Sequence, residues 1–233
     1  MSIKVVSFDL DDTLWAVKPV LTNAEWVLQS WLVENAPLLA RNWSLWYQDV
    51  RQQLLNDDQS LSFRVSDMRR TLLRICLEKA GYSHNEAVDL AKQGFQVYFA
   101  QRQKVQPFAD AASVLSKLAE DYKLVAFSNG NANIYTTELG AYFTDSFNAE
   151  NIGFGKPDPC AFELVQRALA VDAHEIVHVG DQIQDDILGA QQAGWFNIWY
   201  NPQQQLWSGQ QKPTAEITAL TELPLALHHL QAY

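Results

Sequence analysis

The chain has 233 residues, 48% hydrophobic and 12% aromatic, which excludes a disordered polymer and is enough for an α/β core plus a second small unit. Its 17 basic and 27 acidic residues give a formal net charge of −10 and a pI of about 4.9. That is the reverse of the basic footprint selected by nucleic acid or an anionic membrane. No apolar run is long enough to span a bilayer, and Cys76 and Cys160 are too few and too far apart for a disulfide framework or a zinc site. A cytoplasmic protein with two buried free thiols, and no signal peptide ahead of the first strand, is the expectation.

From Ile3 to Phe8 a run of apolar and β-forming residues stops at Asp9-Leu10-Asp11-Asp12-Thr13-Leu14. This is the pattern of a buried strand that delivers charged groups to the end of a parallel sheet. Burying an aspartate costs several kcal/mol unless a cation, a metal or good hydrogen bonds compensate it. The carboxylates are therefore either turn formers or part of a metal and phosphate site.

From about residue 23 to 102 the spacing is helical, with apolar faces at Trp26, Val27 and Trp31, then Trp43, Trp46, Tyr47, Val50 and Leu54. Met68, Leu72, Leu73 and Cys76 form another face before the stop at Gly81, and Val88, Ala91, Phe95 and Phe99 a fourth. Pro19 and Pro107 bracket this block, which reads as a helical insertion. Its tryptophans fit core packing at helical spacing, with stacking on a flat substrate as the alternative. Trp15, just past the carboxylates, is a candidate for lining a substrate entrance. The arginines from Arg64 to Arg74 fit a solvated face.

Beyond Asp110 helix and strand alternate. A helix over Ala111–Leu118 precedes a strand at Leu124–Phe127, then Ser128-Asn129-Gly130-Asn131 and a helix through Leu139. A weak strand at 146–148 leads to Gly155-Lys156-Pro157-Asp158-Pro159, where Asp158 can cap the next helix. Ile176–Val179 is another buried strand, ending in Gly180-Asp181; a helix from about Asp186 closes at Gly194, and Asn197–Tyr200 gives a further strand. The Gln-rich stretch 202–213 reads as a surface excursion. Strands separated by helices imply βαβ units and a parallel sheet, and ligands of such sheets bind outside the carboxyl ends of the strands. Asp9, Asp11 and Thr13, Ser128 and Asn129, and Gly180 and Asp181 would share one crevice if their strands are neighbours.

Phe8-Asp9-Leu10-Asp11-Asp12-Thr13, Ser128, Lys156 before Pro157, and Gly180-Asp181 with Asp186 resemble, in order, the four motifs of the haloacid dehalogenase-like hydrolase superfamily. The resemblance implies an α/β fold: a Rossmann-like parallel sheet core, residues 1–15 plus 107–233, with an inserted all-α cap at 16–106. Asp-Asp-Thr-Leu-Trp at 11–15, Asn129-Gly130-Asn131-Ala132 and His178-Val179-Gly180-Asp181 look like the flavin mononucleotide and 5-amino-6-(5-phospho-D-ribitylamino)uracil phosphatases of that superfamily, which points to riboflavin biosynthesis. On this resemblance Asp9 would be the nucleophile, forming an aspartyl-phosphate, and Asp11 the acid and base. Mg²⁺ would sit on Asp9, the backbone carbonyl of Asp11, and Asp181. Ser128 and Asn129 would bind phosphoryl oxygens, helped by the N-terminus of the following helix; Lys156 would serve the same oxygens and Asp9. Thr13 would brace the Asp11 side of the loop, and Asp186 would hold Lys156 or a metal-bound water.

Several alternatives stay open at this level. Asp12 reads as structural. Asp185 and Asp186 compete for the last motif, with Asp185 as the helix cap if Asp186 is chosen. Gln182 departs from the serine common after Gly-Asp in the family. His178 reads as a satisfied core histidine. The substrate would be a small phosphorylated metabolite, with no nucleic acid or membrane partner. A haloacid dehalogenase or a phosphomutase on the same fold, or a phospho-acceptor receiver module, are the competing functions. Cap movement is expected about hinges near 16–19 and 105–107, to exclude water and then admit it.

Overall fold

The computed structural model describes residues 2–209 and 211–231. Residues 1 and 232–233 of the expected core, and Gln210 of the expected surface excursion, lie outside the described residues. The chain divides into two compact units, residues 1–16 with 106–233, and residues 17–105.

In chain order, β1 (Val5–Phe8) opens the first unit, and the second holds α1 (Val17–Asn35), α2 (Pro37–Ala40), α3 (Trp43–Asp57), α4 (Val65–Lys79) and α5 (His84–Arg102). The first unit resumes with α6 (Ala111–Leu118), β2 (Lys123–Ser128), β3 (Asp145–Asn148), α7 (Ala149–Ile152) and α8 (Pro159–Leu169). It continues through β4 (Ile176–Gly180), α9 (Gly189–Gln192), β5 (Phe196–Tyr200), β6 (Ala215–Ile217) and α10 (Leu223–Gln231).

The strands form one all-parallel sheet in the order β3-β2-β1-β4-β5-β6. The three central strands are buried on both faces, which explains their near-continuous apolar runs. On one side Phe162 packs edge to face on both Phe127 and Trp195, with ring centroids 5.1 and 5.2 Å apart. The chain order reverses direction between β1 and β4, and the crevice beyond such a reversal is where open α/β sheets bind ligands.

The second unit has its own core, built from Leu28 and Leu32 of α1, Trp43 of α3, Leu72, Leu73 and Cys76 of α4, and Phe95 and Tyr98 of α5. Gly94 lets α1 and α5 approach closely, since a Cβ there would lie 3.1 Å from the Trp31 ring. Of the tryptophans, Trp43 is in this core while Trp26 is 68% exposed. The arginines of α4 and its N-cap are held by acids: Arg64 and Arg70 by Asp67, Arg74 by Glu78, and Arg69 by Glu25. Arg69 is less solvated than expected, lying 4.0 Å over the Tyr98 ring. Among the described residues no helix is long and apolar enough to cross a membrane.

Several local expectations fail for identifiable reasons. No α-helix runs from Asn131 to Leu139; two short 3₁₀ turns, Ile134–Thr136 and Glu138–Tyr142, take its place. Asn133 and Thr137 accept from the backbone N–H groups of Tyr135 and Leu139, and these local caps break the helix. The helix expected from Asp186 starts earlier, as a π turn over Ile183–Leu188. Strand β6 and helix α10 were not anticipated. Cys76 is buried, but Cys160 is exposed on the first turn of α8, so only one thiol is sequestered.

The clearest local stabiliser of the second unit is the reciprocal cap of α5, in which Ser83 Oγ accepts from Glu86 N–H while Ser83 N–H donates to Glu86 Oε2 at 2.9 Å. Ser83→Ala should cost about 1 kcal/mol. A lower urea midpoint of helical circular dichroism is the expected result, and an unchanged midpoint would refute the assignment.

Candidate active site

Because β2, β1 and β4 are adjacent, the residues that leave their carboxyl ends meet. Asp9, Asp11, Ser128, Asn129, Lys156 and Asp181 line one cleft of about 160 Å³, with Asp185 and Asp186 at its side. Larger hollows, of about 800 Å³ beside α8 and about 620 Å³ within the second unit, gather no comparable set of buried carboxylates.

The loop after β1 is shaped residue by residue. Asp9 N–H donates to Val179 O at 2.9 Å, so the β1–β4 ladder runs one residue past the strand and Asp9 is left only 8% exposed. Asp12 then takes a left-handed conformation, φ 58°, which aspartate tolerates better than most residues, and its N–H donates to Trp15 O. The turn brings Trp15 back over the loop, where its indole Nε1–H donates to Asp11 Oδ1 at 2.8 Å. Trp15 is wholly buried, so it orients Asp11 instead of lining an entrance. Thr13 also differs from expectation: its hydroxyl donates to Asp181 Oδ1 at 3.2 Å, tying the first loop to the end of β4.

Ser128 closes β2, and its Oγ accepts from Gly130 N–H. With 3₁₀ turns following, no α-helix N-terminus adds to this end of the strand. The Asn129 side chain clamps the backbone of Lys156 on both sides, donating to its carbonyl and accepting from its N–H, each at 2.7 Å. Sequence reasoning assigned Asn129 to phosphate alone and missed this clamp; a two-sided amide contact leaves no sequence signal.

Lys156 Nζ donates to Asp9 Oδ1 at 2.9 Å and to Asp186 Oδ1 at 2.6 Å. Asp186 is 1% exposed; its Oδ1 also meets His178 Nε2 at 3.1 Å, and its Oδ2 accepts from Gln182 N–H at 2.9 Å. The carboxylate fits because residue 180 is glycine, where a Cβ would lie 2.2 Å from the Asp186 carboxyl carbon. Asp185 faces Asn129 Nδ2 at 3.2 Å and lies within the π turn, so it is not the helix cap expected of it. Gln182 donates to Asp181 Oδ2 through its side chain.

The electrostatics follow from one cation among several buried acids. Burial pushes Asp9 up to about 8, with Lys156 opposing and Asp186 adding to the rise. Asp186 is held below the ordinary carboxylate range by Lys156 and His178, despite its burial. Lys156 is raised by Asp186 and Asp9 against its own desolvation. Burial, aided by Asp186, lifts Asp181 to about 6. His178 is pushed down to about 4 by burial and by the adjacent ammonium, so it is neutral.

Lys156 alone therefore leaves Asp9 and Asp181 under-compensated. Oxygens of Asp9, Asp181 and Asp186 lie within 4.8 Å of one another, close enough to hold one ion. Asp186 is already committed to Lys156 and a backbone N–H, which leaves Asp9 and Asp181 as the side chains that best fit a hard divalent cation. The Asp11 carboxylate accepts from Trp15 and is not among the three whose oxygens lie within reach of one ion.

A family model for haloacid dehalogenase-like hydrolases matches residues 3–194. Among curated relatives, a 5-amino-6-(5-phospho-D-ribitylamino)uracil phosphatase of Escherichia coli is 29% identical over 95% of this chain and 94% of its own length. A pyrimidine 5′-nucleotidase of Streptococcus pneumoniae is 30% identical over 96% of this chain and 94% of its own. Among solved structures, one described as a 2-haloacid dehalogenase of Pseudomonas syringae pv. tomato is 44% identical with a TM-score of 0.94, covering 97% of this chain and 99% of that one. The motif residues, the strand order and the family match agree: the chain belongs to the haloacid dehalogenase-like hydrolases.

Proposed function

We propose that this hydrolase is a Mg²⁺-dependent phosphatase that cleaves small phosphate monoesters through an aspartyl-phosphate. The observation that carries this is Asp11, a carboxylate two residues beyond Asp9, held by the Trp15 indole in the same cleft as Lys156 and Asp181. A phosphate ester needs a proton for its leaving alkoxide, and Asp11 is the group in position to supply one.

In the first step Asp9 attacks phosphorus, the bond from phosphorus to the ester oxygen breaks, and Asp11 gives its proton to the departing alcohol. In the second, Asp11 takes a proton from water, the water oxygen attacks phosphorus, and the Asp9–phosphorus bond breaks to release inorganic phosphate. Splitting one displacement into two lets a single carboxylate act as both acid and base. Lys156, buried against Asp9, keeps the nucleophile aligned and offers positive charge to the phosphoryl oxygens, with Ser128 and the backbone of Asn129 as further donors. Asp9, the Asp11 carbonyl and Asp181 would hold Mg²⁺, which supplies charge neutralisation between the carboxylate and the phosphate dianion when bound. Asp186 and Thr13 act as supports for Lys156 and Asp181.

The phosphatase and nucleotidase relatives support a phosphorylated metabolite with a heterocyclic part, such as a riboflavin-pathway intermediate or a pyrimidine nucleotide. Flavin mononucleotide as substrate and a cytoplasmic setting are part of the proposal and rest on the sequence alone. The second reading, a haloacid dehalogenase, is favoured by the description of the 44% identical structure. In that chemistry Asp9 displaces halide from carbon, and Asp11 has no leaving group to protonate.

A turnover screen over phosphate monoesters and 2-chloropropionate, with Mg²⁺ and with EDTA, separates the two. Phosphate release that requires Mg²⁺ is expected; halide release in EDTA without phosphate release would replace phosphatase by dehalogenase. Asp9→Asn should abolish turnover, and Asp11→Asn should lower kcat by about 10²–10⁴-fold. Trp15→Phe, which removes the indole donor to Asp11 along with part of the buried ring volume, should reduce kcat with little change in KM. A Trp15→Phe enzyme with unaltered kcat would show that the indole contact does not orient the acid.

A further inference from the structure

We infer that Ser7 and His178 form a buried positioning pair that fixes Asp186, and through it Lys156, against Asp9. The inference rests on Asp9 as the nucleophile, and so applies whether the displaced group is an alcohol or a halide.

Ser7 of β1 and His178 of β4 are register partners in the centre of the sheet, and both are wholly buried. Their neighbours along the strands, Val6, Phe8, Val177 and Val179, are apolar. Two polar side chains there would be costly if packing were their only purpose. They are paired instead: Ser7 Oγ lies 3.0 Å from His178 Nδ1, and Nε2 lies 3.1 Å from Asp186 Oδ1 and 3.4 Å from Lys156 Nζ. The rings of Phe127 and Phe162 pack against the imidazole and hold its plane.

The tautomer follows from these contacts. Nε2 faces an acceptor, Asp186 Oδ1 at 3.1 Å, and a donor, the Lys156 ammonium at 3.4 Å. The shorter contact is to the acceptor, and the ammonium already donates to Asp9 and Asp186, so the proton is assigned to Nε2. Nδ1 must then accept, and the Ser7 hydroxyl is the donor that locks this arrangement. Asp186 is thereby held by Nε2–H, Lys156 and Gln182 N–H together, and its oxygen in turn sets where the ammonium meets Asp9. The chain of contacts from Ser7 to Asp9 crosses the sheet from a strand interior to its reactive end.

The test compares wild type, Ser7→Ala, His178→Leu and the double variant, using whichever substrate the wild type turns over. His178→Leu alone strands the Ser7 hydroxyl and should lose both thermal midpoint and kcat. The double variant removes the stranded hydroxyl, so its midpoint should recover toward wild type. Its kcat should stay down by about tenfold or more, as misalignment of a nucleophile predicts. KM should change by less than about threefold. A double variant with kcat within about twofold of wild type would overturn the inference, leaving the pair a core filling. Nitrogen NMR of the His178 ring gives a second reading that needs no substrate: Nε2–H in wild type, with exchange between tautomers in Ser7→Ala. Nδ1–H in wild type would also overturn it. Absence of any phosphate turnover by wild type would count against the phosphatase, and leaves the NMR comparison to decide the pair.

Discussion

One ammonium group, Lys156 Nζ, stands between two buried carboxylates, 2.9 Å from Asp9 and 2.6 Å from Asp186. A buried pair of opposite charges barely offsets its own desolvation, and a second buried carboxylate on the same cation leaves the group short of positive charge. Asp9 carries that deficit, which is why burial lifts it to about 8 while Asp186 stays ionised. Asp181 deepens the deficit from the end of β4. A divalent cation beside Asp9 and Asp181 would relieve this deficit, and on the proposed reading would do so before a doubly charged phosphate enters. With a net charge of −10 the chain cannot draw an anion in from a distance, so attraction must be made within the cleft.

The sheet exists, in functional terms, to keep this cluster in register. β1 supplies Asp9, β4 supplies Asp181 and the glycine that makes room for Asp186, and the two pair directly. β2, on the other side of β1, contributes Ser128, and Asn129 beyond it grips the Lys156 backbone. A lysine on a loop would otherwise be the least reliable member of the site. Here its backbone is clamped by an amide, and its ammonium is bounded by two acids and the face of Phe127.

Sequence carried some of these features and hid others. Strands β1, β2 and β4 were legible because apolar runs ended abruptly in polar residues, and the helices of the second unit because their apolar positions kept a period near 3.6. The convergence of Asp9, Ser128, Lys156 and Asp181 on one cleft depends on strand adjacency, which the sequence left conditional and the topology supplies. Trp15 was misjudged because a large aromatic beside a catalytic loop has the same sequence signature whether it faces solvent or turns inward; the left-handed Asp12 decides it. The 3₁₀ turns after Asn131 were missed because side-chain caps from Asn133 and Thr137 outweigh a helical pattern of apolar residues. Three-residue β6 is too short to show alternation and is defined only by pairing with β5. His178 was recognised as a satisfied core histidine, but its partners come from sheet register and a π turn, neither of which spacing reveals.

Phosphoryl transfer and halide displacement ask different things of the same cleft, although both start from Asp9. A halide leaves carbon as a stable anion and needs no proton, so in that chemistry a second carboxylate two residues away has no leaving group to serve in the first step. An alkoxide leaving phosphorus is strongly basic, and its departure is slow unless a proton accompanies it. The structure spends a buried tryptophan, a left-handed aspartate and a backbone hydrogen bond on orienting Asp11. On the proposed reading, ester cleavage explains this arrangement, because the same carboxyl group would serve both half-reactions. Likeness to a structure described as a dehalogenase shows a common fold and supports that second reading, whereas Asp11 and its indole partner are what the proposed phosphatase reading rests on.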